Sequence, residues 1–175
     1  MGDMGRAQAR LTEDGRYIVV EGRRWRAADP AIPAPLKQEL VGELMRARRL
    51  IGSGETSART RVHDAKIALG ERGRAWWKAD EESRGIRAAA ALNALLRARR
   101  GGPVGLSEVA QIVAGASWRE HLRGLAELIE TGVRAGRWTL SREGPMSADP
   151  EEMQIAAGPE FGAEAPNVAG SAHEA

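Results

Sequence analysis

SEVAQIVAGASWREHLRGLAELIETGVRAGRWTLSR, residues 107–142, holds the strongest run of secondary-structure signals in the chain. Val109, Ile112 and Val113 recur at the spacing of one helix face, with Ser107 as the expected N-cap. Gly115-Ala116 interrupts that helix. Ser117 followed by Glu120 has the S-x-x-E pattern of a capping box and opens a second helix that runs to about Ala135. Its stripe is Trp118, Leu122, Leu125, Ile129 and Val133, with Leu128 alongside, and Gly136 is its stop. Arg137 to Arg142 alternates and predicts a strand. Glu143-Gly144-Pro145 then turns the chain, and Glu152 to Ala156 predicts a return strand.

Upstream, Arg84 to Arg99 predicts a helix with a broad apolar face built from Ile86, Ala89, Ala90, Leu92, Leu95 and Leu96. Arg97, Arg99 and Arg100 crowd its end, where positive charge opposes the helix dipole favourably. Gly101-Gly102-Pro103 breaks it, and residues 103–106 are read as a short edge strand or a turn. Asp80-Glu81-Glu82-Ser83 is an acidic linker leading into the helix start.

The first half is organised differently. RYIVV and RRWRA flank Glu21-Gly22, which predicts a β-hairpin over residues 16–27. A two-residue loop there pairs Val20 with Arg23, Val19 with Arg24, Ile18 with Trp25 and Tyr17 with Arg26. One face then carries Ile18, Val20 and Trp25, expected to cover a helix. The other sets Arg24 and Arg26 beside Tyr17, at cation–π positions. Pro30, Pro33 and Pro35 stiffen a connector. Two antiparallel helices are expected next, from Leu36 to Ile51 and from Ala58 to Leu69. Trp76-Trp77 is expected to form a lid on this core, with one ring partly exposed. The domain plan is a disordered leader 1–14, a hairpin and two-helix module 15–78, a linker 79–83, a second domain 84–157 and a disordered acidic tail 158–175. The fold class is mainly α with small hairpins, α+β.

Charge is distributed unevenly. Residues 16–78 hold fourteen Lys or Arg against seven acids, residues 83–144 hold ten against five, and residues 145–175 hold six acids and neither Lys nor Arg. A basic body with an acidic tail suits a polyanion partner, and it also suits a solvated arginine-rich surface. There is no cysteine, so disulfides and thiolate chemistry are excluded, which fits a reducing compartment. No apolar leader and no apolar run long enough to span a bilayer is present. The expected location is cytoplasmic, with no membrane partner.

Two resemblances extend this reading. The order helix, helix, turn, helix, strand, turn, strand over residues 84–156 resembles the small winged-helix-like domains of bacteria. That resemblance implies either a protein-interaction role or DNA binding through the third helix and wing. For DNA it points to Ser117, Arg119, His121 and Arg123 at the start of the third helix. It adds Arg137 and Arg142 at the wing and Arg97, Arg99 and Arg100 as phosphate contacts. GRRWRAADPAIP (22–33), LKQELVGELMRARR (36–49) and RVHDAKIALGERG (61–73), with AWW at 75–77, resemble a family of uncharacterised small bacterial proteins. Its members are sometimes labelled Tol-type biopolymer transporters, and the resemblance implies no mechanism.

Nothing in the sequence assembles catalytic chemistry. His63-Asp64 are helix neighbours whose side chains diverge, with no nucleophile beside them. His121 has no second histidine at metal spacing. Gly52-Ser53-Gly54 lacks the lysine of a phosphate loop. No cofactor, metal or small-molecule substrate is therefore expected. The function expected is a non-enzymatic adaptor or scaffold with an unknown protein partner, and the alternative is a DNA-binding accessory or regulatory protein. Trp25, Trp76, Trp77, Arg24 and Arg26 are the candidates for holding a partner.

Overall fold

The computed structural model describes residues 9–140 and 149–161. The described chain is a mixed α+β fold whose long helices are α1 (Ala34–Ile51), α2 (Ala58–Ala68), α3 (Glu81–Ala98), α4 (Leu106–Ala114) and α5 (Trp118–Arg134). Six short strands form two three-stranded antiparallel sheets, one at each end of the sequence. No helix among the described residues is long and apolar enough to cross a membrane.

The first sheet contains β1 (Arg10–Leu11), β2 (Tyr17–Val20) and β3 (Arg23–Arg26), in that spatial order. The β2–β3 register is Tyr17–Arg26, Ile18–Trp25, Val19–Arg24 and Val20–Arg23, as the two-residue loop requires. Both loop residues have positive φ, 50° at Glu21 and 77° at Gly22. This is the backbone whose twist suits a tight hairpin, and Gly22 adopts it without a Cβ penalty. Within the leader expected over residues 1–14, Arg10 and Leu11 are instead paired with Val19 and Ile18. Residues 1–8 lie outside the described residues.

Helix α3 is the centre of the molecule. Its side chains are buried almost all round, with Ala90, Ala91, Leu92, Ala94, Leu95 and Leu96 each at most 5% exposed. A helix whose 87–96 segment is buried this widely belongs in an interior, while its first turn, with Ile86 56% exposed, reaches solvent. The alanines let neighbouring helices approach closely: α1 and α2 pack on one side, α4 and α5 on another. One cluster of buried side chains therefore runs from Ile32 and Leu36 through α3 to Ile129, Trp138 and Ile155. Asp80-Glu81-Glu82-Ser83, expected as a linker and helix start, is the capped first turn of α3. The Asp80 carboxylate accepts from the Ser83 N–H at 2.9 Å, and the Ser83 hydroxyl accepts from the Asp80 N–H at 3.0 Å.

The second sheet contains β4 (Val104–Gly105), β5 (Trp138–Leu140) and β6 (Gln154–Ala157), in the spatial order β4–β6–β5. Pairing Val104 with Ile155 and Trp138 with Ala157 closes the core over α4 and α5. Residues 158–161, expected to belong to a disordered tail, are held against the fold instead. Gly158 N–H donates to the Arg137 carbonyl at 3.1 Å, Glu160 N–H donates to the Gly136 carbonyl at 2.9 Å, and Phe161 packs against the core. Residues 141–148 and 162–175 lie outside the described residues, and Arg142 with them.

The caps expected from sequence are rearranged. Ser107 is not the cap of α4: the cap is Gly105, two residues earlier, and the Glu108 carboxylate accepts the Gly105 N–H at 2.8 Å. The Ser117–Glu120 box does not form. Residues 115–117 make a tight 3-10 turn, so the Ser117 hydroxyl faces back and donates to the Ala114 carbonyl at 3.1 Å.

Candidate interaction surfaces

The arginines divide into those bound to acids and those facing solvent. At the end of α3, Arg97 Nη1 meets Asp64 at 2.6 Å, and its guanidinium lies 5.5 Å over the Phe161 ring. Arg99 grips two carboxylates at once. Its nitrogens reach Glu39 on α1 at 2.8 and 2.9 Å and Glu108 on α4 at 2.7 and 2.9 Å, with a further bond to the Pro103 carbonyl at 3.0 Å. Bidentate geometry of this kind is what a planar guanidinium does better than an ammonium. These two residues, expected as phosphate contacts, are thus occupied by the protein's own acids. Arg100 is exposed and takes φ 54° just past the helix end.

Burial pushes the Glu108 carboxyl up, but the Arg99 guanidinium and the Gly105 N–H outweigh it and hold the group below the ordinary glutamate value. The folded form therefore prefers the carboxylate. Stability from this clamp is fully present above the ordinary glutamate range and is lost as pH falls through the lower folded value. Glu108→Gln should cost about 1–3 kcal/mol near neutrality and flatten the acid limb of stability against pH. Urea titrations at a series of pH values read both effects, and an unchanged acid limb would contradict the clamp.

At the start of α5, Arg119 is exposed, stacks 4.2 Å over the Trp118 ring and approaches Glu151 at 3.4 Å. Arg123 is exposed, and Ser117 and His121 are half-buried. His121 lines a shallow cavity of about 140 Å³ with Glu81, Arg84 and Glu120. Arg137 is exposed beside the Trp138 ring, 5.0 Å from its centroid. The solvent side of α5 also carries Glu120, Glu127 and Glu130 in exposed positions, so acids alternate with Arg119, Arg123 and Arg134 along it.

The N-terminal sheet presents the other surface. Tyr17 meets the Trp77 ring edge-on at 5.6 Å, and Trp77 meets Trp76 at 4.9 Å. Arg24 lies 4.4 Å over Tyr17, and Arg26 lies 5.8 Å over Trp77 while donating to the Gly73 carbonyl at 2.7 Å. Trp76 donates its indole N–H to the Ala27 carbonyl at 3.2 Å. Both Trp76 and Trp77 are half-buried, so neither stands out as the one exposed ring that was expected. The sheet therefore docks through its Tyr17 face. The Ile18–Val20–Trp25 face, expected to cover a helix, points away, and Trp25 is 51% exposed. Register places Leu11 beside Ile18 and Ile18 beside Trp25, so the three form one cross-strand row. Leu11 is 62% exposed, and Arg23 lies 5.4 Å over the Trp25 ring.

Sequence reasoning missed three interior ion pairs. Glu43, fully buried, accepts from Arg61 at 2.8 and 3.1 Å and from Arg46 at 3.3 Å. Asp29 accepts from Arg87 at 2.8 Å, with both residues buried. Burial lowers the Arg87 pKa, and the Asp29 carboxylate opposes that shift. Asp64, paired with Arg97, is pushed above its ordinary value by burial. The signal was available: Glu43 lies on the Leu36, Leu40, Leu44 and Ala47 stripe, and Arg87 lies one turn before Ala91. A charge in core phase demands a partner. Comparison of the chain with protein-family models, curated proteins and solved structures found no match.

Proposed function

We propose that this chain is a non-enzymatic adaptor or scaffold that holds a protein partner on the outer face of its N-terminal sheet. The observation that carries this reading is the Leu11–Ile18–Trp25 row. An exposed tryptophan aligned with two aliphatic side chains and topped by Arg23 is the composition of a binding anchor. The remaining candidates, Trp76, Trp77, Arg24 and Arg26, support that sheet from behind. A cytoplasmic setting belongs to the same proposal and rests on the cysteine-free composition.

The C-terminal part is read here as a winged-helix-like unit. Its element order, α3–β4–α4–α5–β5–β6, and its sheet order, β4–β6–β5, support that reading. DNA binding is the second reading, favoured by exposed Arg119, Arg123 and Arg137 around the start of α5. The acids interleaved on α5, and the engagement of Arg97 and Arg99 inside the protein, favour the adaptor.

Affinity capture on the full chain, with Trp25→Ser/Leu11→Ser as the matched bait, tests the choice together with a mobility shift across a salt series. The adaptor reading expects one stoichiometric partner that the double variant loses, and no DNA shift at low salt. A DNA complex whose salt slope falls in Arg119→Ala/Arg123→Ala would replace it with the second reading.

A further inference from the structure

The connection between α2 and α3 borders an open-sided cavity of about 270 Å³ that the adaptor reading does not use. Trp76, Ile67 and Ile86 give it apolar walls, and Arg72, Arg74, Arg84 and Arg87 line it as well. Two acids, Asp80 and Glu82, also line it. Asp80 is committed elsewhere, capping α3 and pairing with Arg74 at 3.0 Å. Arg72 bonds the His63 ring at 3.1 Å, and Arg84 makes only a long 3.5 Å contact with the Ala79 carbonyl. The lining is left with an excess of positive charge.

Arg87 supplies the second, independent observation. It is 7% exposed, and its Nε and Nη1 are bonded to the Ala68 carbonyl and to Asp29. Its Nη2 has no acceptor, and it is the one buried side-chain nitrogen or oxygen among the described residues in that state. A buried charged donor left unmatched is costly, and it calls for an acceptor from outside the chain. Arg84 and Arg87 stand three residues apart on α3, on neighbouring positions of one face.

The geometry points to a binding site for a small organic oxyanion, a carboxylate or phosphate on a compact apolar body. The oxyanion sits between Arg84 and Arg87, and the body lies against Trp76, Ile67 and Ile86. An open-sided cavity of about 270 Å³ suits a compact single-ring acid. Guanidinium groups match both carboxylate and phosphate oxygens, so the two head groups are separated by experiment.

The full chain is titrated with benzoate, with phenyl phosphate and with neutral benzamide at constant ionic strength, following tryptophan emission and melting temperature. The expected result is a saturable response to at least one of the two acids, with the preferred acid naming the head group, and no response to benzamide. Arg84→Gln should weaken that binding by about tenfold or more, with an unchanged circular dichroism spectrum because its one bond among the described residues is the long one. Ile86→Ser, at an exposed position, should weaken it without touching the charge. The site is overturned if neither acid saturates, if benzamide responds equally, or if Arg84→Gln binds as the parent does.

Discussion

Asp29→Ala is expected to lower the free energy of unfolding by about 3–5 kcal/mol, a large share of the ~5–15 kcal/mol that a domain possesses. Asp29 is 6% exposed and does three things at once. Its carboxylate meets Arg87 at 2.8 Å and accepts the Ala31 N–H at 2.9 Å, and its own N–H donates to the Leu69 carbonyl at 2.9 Å. Alanine keeps only the last. Arg87 would then hold its charge in the interior with the Ala68 carbonyl as its sole partner. Most of the cost is that stranded charge rather than the worth of the pair, so removing both should be milder than removing one. Asp29→Ala/Arg87→Met is therefore expected to unfold at a higher urea concentration than Asp29→Ala alone. Additive losses in the double variant would show that the two residues act separately.

Gly132→Ala should destabilise the protein, although the same exchange inside a helix ordinarily gains up to ~1 kcal/mol. Gly132 is buried in α5, and a Cβ placed on it would run into the six-membered part of the Trp138 indole. That ring is 2% exposed and anchored, its N–H donating to Asn93 Oδ1 at 3.0 Å. Either α5 or the ring must move, and overpacking of this kind costs about 1–3 kcal/mol. Gly124 in the same helix is the control. It is exposed and has only Glu81 Oε1 at 3.9 Å near a would-be Cβ, so Gly124→Ala should stabilise. Opposite signs in thermal or urea denaturation are expected, and a stabilised Gly132→Ala would mean that Trp138 does not seat on α5.

What was legible in the sequence was local. The Glu21-Gly22 turn dictated every pair of the β2–β3 ladder, and apolar spacing placed all five long helices. Helical spacing also exposed one of its own limits. It gives a stripe but not the number of neighbours around it, so the broad apolar face of α3 was read without the full width of its burial. The illegible part depended on residues distant in the chain. Arg99 meets Glu39 sixty positions away and Arg97 meets Asp64 thirty-three away, so arginines that local rules place at a helix end are ion-paired by remote acids. Which face of the hairpin docks was decided by the edge-on stack of Tyr17 on Trp77 and by the Arg26 bond to Gly73. Alternation alone treats the two faces equally. At Ser117, the S-x-x-E pattern was present, but the 3-10 turn before the helix aims the hydroxyl backwards. A cap needs a backbone conformation as well as a side chain.

The wide burial of α3 has a consequence for how the molecule comes into being. A ribosome releases residues 10–98 before α4, α5 and the second sheet exist. The Arg87 and Arg97 side of α3 finds Asp29 and Asp64 at once, because both precede it in the chain. Asn93 and Gly85, on the side that meets Trp138 and Leu128, must wait for segments about forty positions downstream. A nascent chain halted near residue 100 is expected to leave the α4- and α5-facing side of α3 uncovered. Completion of the core around α3 arrives only with the last strand of the second sheet, which brings Ile155 into the buried cluster.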